Sequence, residues 1–262
     1  MADVELSMDV LQRYTDGVHQ IGAAARQDMG FTLANVDLSD RELVEDLVAG
    51  ACRYAQEASA QYAAQFYRGL SILQTGEDFD AKALSDYDRT ATIIAVRGIY
   101  RQATRDGELD EDELAGLLGD RIAYEVNRAS KVSVWRNGQR DSRDVRYARV
   151  PVGAETCAWC IMTAGLGYWY MSEEAASHTH SHCDCQIIAS IGRGDVRIKG
   201  YDSTVFCDMW RTANKLRANG SIPQEWSDHI AQVHAQRDRE ERPYRDDTNG
   251  TLYVMRKMYD LK

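Results

Sequence analysis

Seven of the chain's twelve cysteines and histidines fall in one stretch of 29 residues, CAWCIMTAGLGYWYMSEEAASHTHSHCDC, from Cys157 to Cys185. Cys157-x-x-Cys160 is the spacing at which a tight turn aims two thiolates at one ion. His180-x-x-Cys183 supplies a second pair, with nineteen residues between the pairs. Two close pairs joined by a loop make a tetrahedral nitrogen–sulfur site of the kind zinc prefers. Cys185, two beyond Cys183, faces the same side if the segment is a strand, and it can replace His180 or Cys183 as a ligand. His178 and His182 are spares. The plainer alternative is a set of buried free thiols with histidines facing solvent. A shared ion would tie together segments some 25 residues apart, and few features constrain a fold more.

A structural zinc has four protein ligands, whereas a catalytic one keeps a position open for water. This cluster offers at least four ligands and lacks the usual catalytic company. There is no His-Glu-x-x-His, and the Cys-x-x-Cys comes first, with no His-x-Glu before it as zinc deaminases require. Glu173 and Glu174 lie in the intervening loop and are read as the first turn of a short helix rather than as acid and base. The expected cofactor is therefore one structural Zn2+, and no catalytic residue is assigned.

The rest of the chain reads as a soluble protein of a reducing cytosol. It has no signal-peptide pattern, no apolar run long enough for a membrane and no spread-out disulfide framework. A net charge of −10 argues against a protein whose main business is coating nucleic acid. One local basic strip runs against that balance. From Arg136 to Arg149, the five arginines Arg136, Arg140, Arg143, Arg146 and Arg149 face two aspartates. The strip reads either as a solvated hairpin or as a basic surface for DNA or an acidic partner.

The first part, 1–138, is expected to be helical. Ser39 and Glu42 suggest a capping box opening a helix with Leu43, Leu47, Tyr54, Ala58, Tyr62 and Phe66 on one stripe. A second helix is expected over Asp86–Arg105, with Ile93, Ile94, Val96 and Tyr100 inside and a stop near Gly107. A third carries Leu114, Leu117, Leu118, Ile122, Tyr124 and Val126 up to a turn at Asn137-Gly138. Residues 139–200 form an α+β unit around the cysteines, with strands at VRYARVP, YWYM and CQIIAS and a brief helix capped by Ser172. Residues 201–262 return to helix. Phe206, Met209, Trp210, Ala213 and Leu216 share a face, Gly220 closes that helix, and the next one starts at Pro223 and carries Trp226, Ile230 and Val233. QRDREERPYRDD is a charged connector, and the apolar TLYVMRKMYDLK is a tail made to dock. The fold class is mainly α with a small zinc-clasped α+β subdomain.

RVPVGAETCAWC, then GYWYMSEEAA, then HSHCDCQII resembles the signature of Mu F-like minor capsid (head morphogenesis) proteins of tailed phages, in the form found in actinobacterial phages and prophages. Ser181 and Asp184 stand where the commoner pattern has Pro and Arg. GYDSTVF also resembles the segment just beyond the site in those proteins. The likeness covers Arg149 to Phe206 and points to Cys157, Cys160, His180, Cys183 and Cys185 as the metal ligands. It implies a virion protein of the phage head, made in the host cytoplasm. Its partners would be portal and major capsid proteins, and it would act in head assembly and genome packaging or ejection. Such a protein works by contact rather than turnover. The alternative is an enzyme, either a zinc-dependent nuclease or hydrolase or an ADP-ribosyltransferase-like toxin, to which Mu F-like proteins are sometimes fused. For the toxin reading the relevant residues are FYRGL (Phe66–Leu70) and Glu111-Asp-Glu113.

Overall fold

The structure, a computed structural model, describes residues 4–105, 107–153, 156–169, 172, 178–179, 183–192, 194–239 and 248–261. Among these lie β1 (Glu5–Leu6), α1 (Met8–Leu33), α2 (Arg41–Thr75), α3 (Arg89–Ala103), β2 (Thr104–Arg105), β3 (Glu108–Leu109) and α4 (Glu111–Arg140). They are followed by β4 (Val145–Pro151), α5 (Ala158–Ala164), β5 (Cys185–Ile191), β6 (Arg197–Ile198), α6 (Ser203–Ala218), α7 (Gln224–Arg239) and α8 (Thr248–Tyr259). The protein is mainly α with some β, and the cysteines gather in a small subdomain.

Helices α2 and α4 pack along each other and α1 lies against α4. The α2 N-cap is Asp40, whose carboxylate accepts the Leu43 N–H at 3.2 Å; Ser39, expected there, gives its hydroxyl to Asp37. The buried face of α2 is also turned by one residue from the expected stripe. Val44, Val48, Cys52, Ala55, Ser59, Ala63, Tyr67 and Leu70 are inside, while Tyr54 is 77% exposed. The small side chains from 52 to 63 let α4 come close enough for the Ser59 hydroxyl to reach the Val126 carbonyl at 2.8 Å. In α3, Val96 and Tyr100 are buried as expected, but Ile94 faces out. Gly107 turns the chain between β2 and β3 with φ 86°.

Asn137-Gly138 is not a turn: α4 runs through it to Arg140. The Asn137 side chain is buried and saturated. Its carbonyl accepts the Lys82 N–H at 2.8 Å and its amide donates to the Lys82 and Ser133 carbonyls. Gly138 is needed for space. A Cβ there would lie 1.9 Å from the Tyr147 hydroxyl, which donates to the Trp135 carbonyl. Ala is the better helix former by up to about 1 kcal/mol, but overpacking costs about 1–3 kcal/mol, so the clash wins. Gly138→Ala should lower the urea midpoint, and Tyr147→Phe in the same chain should restore part of it.

Strand β4 pairs antiparallel with β5, from Val145 opposite Ile191 to Pro151 opposite Cys185. Pro151 has no N–H to continue the ladder, so the pair opens there. Both strands are buried against the helical core. The Gln74 side chain of α2 clamps β5, accepting the Ile191 N–H and donating to the Ala189 carbonyl. The helical core therefore continues across residue 138 into the hairpin. Of the expected YWYM strand, Tyr168 and Trp169 lie in no strand and the remainder is outside the described residues, as is the EEAAS helix.

A second core joins α5 to α6, α7 and α8. Ala158, Ile161, Ala213, Leu252, Val254 and Met255 are its buried members, with Phe206, Met209, Trp210, Trp226 and Ile230 around them. The C-terminal tail thus docks on its own chain, as α8. Gly220 follows α6 with φ 65°.

Candidate metal centre

The centre lies where the open end of the hairpin meets the start of α5. Cys157 caps α5, its Sγ accepting the Cys160 N–H at 3.3 Å. One turn on, Cys160 points at the end of β5. Its Sγ lies 3.2 Å from Cys185 Sγ and 3.6 Å from Cys183 Sγ, and Cys183 and Cys185 are 2.9 Å apart. All four thiols are buried, and none forms a disulfide.

Of the five sequence candidates, the structure brings Cys160, Cys183 and Cys185 into one group with ligand atoms within 4.8 Å of each other. Cys157 is beside Cys160 and packs with the same cluster. His180 and the spare His182 lie outside the described residues. His178 is not in the group; its ring sits 4.2 Å from that of Trp159. Three thiolates around one tetrahedral ion at about 2.3 Å would be spaced by roughly 3.8 Å. The observed sulfurs, 2.9–3.6 Å apart, are closer than that and would have to spread by up to roughly 0.9 Å around one ion. The buried trio can therefore hold a metal ion.

Its electrostatics single out one thiolate, Cys183. Cys160 and Cys185 crowd Cys183 with S–H groups, and the cations of Lys131 and Arg149 add to them, holding Cys183 well below the ordinary thiol range despite burial. Cys160 is pushed up by its neighbours Cys157, Cys183 and Cys185, and Cys185 is raised by burial. Arg149 Nη1 donates to Cys185 Sγ at 2.7 Å, and its guanidinium lies over the Trp159 ring at 4.9 Å.

Arg149 corrects the basic strip: it is fully buried, not a surface charge. On β4 it stands two residues before Pro151 and so shares the face of Cys185. Arg143 is also committed, forked onto Asp141. Arg136 donates to the Ser85 carbonyl, Arg140 to the Asp80 carbonyl and Arg146 pairs with Asp195. The strip's arginines thus fold back onto the chain: Arg143 onto Asp141 within the strip, and Arg136, Arg140 and Arg146 onto Ser85, Asp80 and Asp195 outside it.

Sequence reasoning also missed Lys131, which is fully buried and donates to the Thr179 hydroxyl. A signal existed. In ASKVSV it is the lone charge in a run of small and β-branched residues, too apolar for a solvated helix face. Glu173 and Glu174 lie outside the described residues. FYRGL lies inside α2, and Glu111 and Glu113 lie in the first turn of α4, so neither segment is on a strand.

A family model described as VG15 protein matches residues 5–213, from β1 into α6 and across the whole cysteine centre. The chain belongs to the VG15 protein family. It is thereby a phage-encoded protein. Neither the curated proteins nor the solved structures contain a match to it. Among the described residues of this VG15 family protein, no helix is long and apolar enough to cross a membrane.

Proposed function

We propose that this VG15 family protein is a minor capsid or head morphogenesis component of the Mu F-like kind. In this reading it resides in the virion near the portal, with portal and major capsid proteins as partners, and acts by contact in head assembly and genome packaging or ejection. The observation that carries the contact reading is the closure of the metal centre: Cys157, Cys160, Cys183 and Cys185 are each at most 8% exposed. A substrate would have to reach the ion through packed protein, whereas a structural zinc needs only enclosure. Thiolate ligands and one-ion spacing favour zinc among common metals. Where α5 meets α6, Leu166, Trp169 and Val205 remain large, apolar and exposed, which suits a partner surface. Contact with packaged DNA would fall to Arg136, Arg140 and Arg146, which reach solvent at least in part.

Mass spectrometry of purified particles tests the reading. The chain should be present at low copy beside the major capsid protein and should cross-link to the portal. Particles that lack the chain altogether would overturn it.

A further inference from the structure

The fully buried guanidinium of Arg149 makes two contacts at once. One N–H is given to Cys185 Sγ at 2.7 Å, and the group lies over the Trp159 ring at 4.9 Å. Arginine suits this double contact because its donors lie in the plane of the guanidinium while its faces stay open for stacking. Trp159 stands directly before Cys160 on α5, and Cys185 opens β5. From β4, one side chain therefore touches both arms of the centre, the ligand strand and the ligand helix.

A cysteine sulfur turns about a single bond with three staggered wells. In the well it occupies, Cys185 Sγ lies 3.2 Å from Cys160 Sγ and 2.9 Å from Cys183 Sγ. A donor anchored on β4 and on Trp159 favours that well over the other two. We propose that Arg149 is the positioning residue of the metal centre: it holds Cys185 Sγ toward Cys160 and Cys183 and keeps its hydrogen bond to that sulfur when the ion is bound. The inference rests on the metal reading above. Partners of this kind, just outside the ligand shell, fix ligand orientation and tune the metal.

Two readouts separate positioning from mere packing. Zinc affinity is measured by competition with a chromophoric chelator, and the sulfur-to-metal charge-transfer band is recorded on the cobalt-loaded protein. A donated N–H lowers the energy of the sulfur lone pairs, so its loss moves that band to longer wavelength. Arg149→Met, which has neither donor nor charge, should bind zinc about 10–100-fold more weakly and show the shifted band. Arg149→Lys keeps a charge and a donor but not the flat fork, and should fall between wild type and Arg149→Met in both readouts. An unmoved band in Arg149→Met overturns the proposal whatever the affinity does, because packing alone can weaken binding. Unchanged zinc affinity overturns it as well. Should Arg149→Met not fold, Arg149→Lys decides by the same two criteria; if neither variant folds with or without zinc, Arg149 is a core residue only and the proposal falls. Wild-type protein that takes up neither zinc nor cobalt overturns the metal centre itself and this inference with it.

Discussion

Replacing Cys183 with Ser is expected to release the metal and to open the hairpin end together with α5. Cys183 lies within 3.6 Å of both other members of the trio, so its loss removes one of the three grouped thiolates from an ion that needs four ligands. Metal binding at small structural sites is worth on the order of 10 kcal/mol in apparent free energy, comparable to the whole stability of an ordinary domain. The loss will be spread unevenly. Around the centre the backbone ladder ends at Pro151, and α5, a helix of only seven residues, is held besides the thiols by its packing on α6 and α8. The opposite end of the hairpin is held by Gln74 and by the helical core. Hydrogen exchange should therefore lose protection at 157–164 and 183–187 and be weakened around Lys131, while α1, α2 and the Val145–Ile191 end stay protected. Chelation of the wild type should give the same pattern. Full protection at 157–164 after either treatment would mean that the thiols are ordinary core.

This local picture shows what the sequence could and could not reveal. The gathering of the cysteines was legible from their short fixed spacings, and so were α6 and α8, whose packed faces carry the large apolar residues Phe206, Met209, Trp210, Leu252 and Met255. The face of α2 misled because its interior is made of Cys52, Ala55, Ser59 and Ala63, while Tyr54 and Leu43 point outward. A periodicity argument weights bulk, and a close helix–helix contact selects against bulk. The same logic hid α1, where the inner face thins from Leu11, Tyr14 and Val18 to Gly22. Asn137-Gly138 has the composition of a turn and becomes helix only because Lys82 and Tyr147 arrive from elsewhere. Lys131 and Arg149 have partners 48 and 36 residues away, so the apolar run around Lys131 marks its burial but no local pattern records either partner.

Arg143→Ala should be the most damaging substitution outside the metal centre. Arg143 grips Asp141 with Nε at 2.8 Å and Nη2 at 2.6 Å, its own backbone N–H adds a third bond, and Tyr67 donates its hydroxyl to the same carboxylate at 2.9 Å. The guanidinium also reaches Thr75 and Ser71, tying the end of α2 to the entrance of β4. The Asp141 side chain is 2% exposed, against 21% for Arg143. Removing the arginine strands a buried carboxylate, which costs about 3–5 kcal/mol, with the lower figure expected because Arg143 keeps some water. The pH dependence separates charge from packing. Burial works to raise the Asp141 carboxyl, but the side-chain and backbone bonds from Arg143, with that from Tyr67, outweigh it and hold the group below its ordinary value. A depressed carboxyl contributes stability above its unfolded pKa, near 3.9, and loses it as pH falls through the folded value. Without Arg143 the burial effect remains, so Asp141 protonates at higher pH and the variant sheds its stranded charge on acidification. The stability gap between wild type and Arg143→Ala should accordingly be widest near pH 7 and narrow steadily as the pH falls through the carboxylate range. A gap that stays constant from pH 7 to pH 3 would mean that Arg143 acts through packing alone.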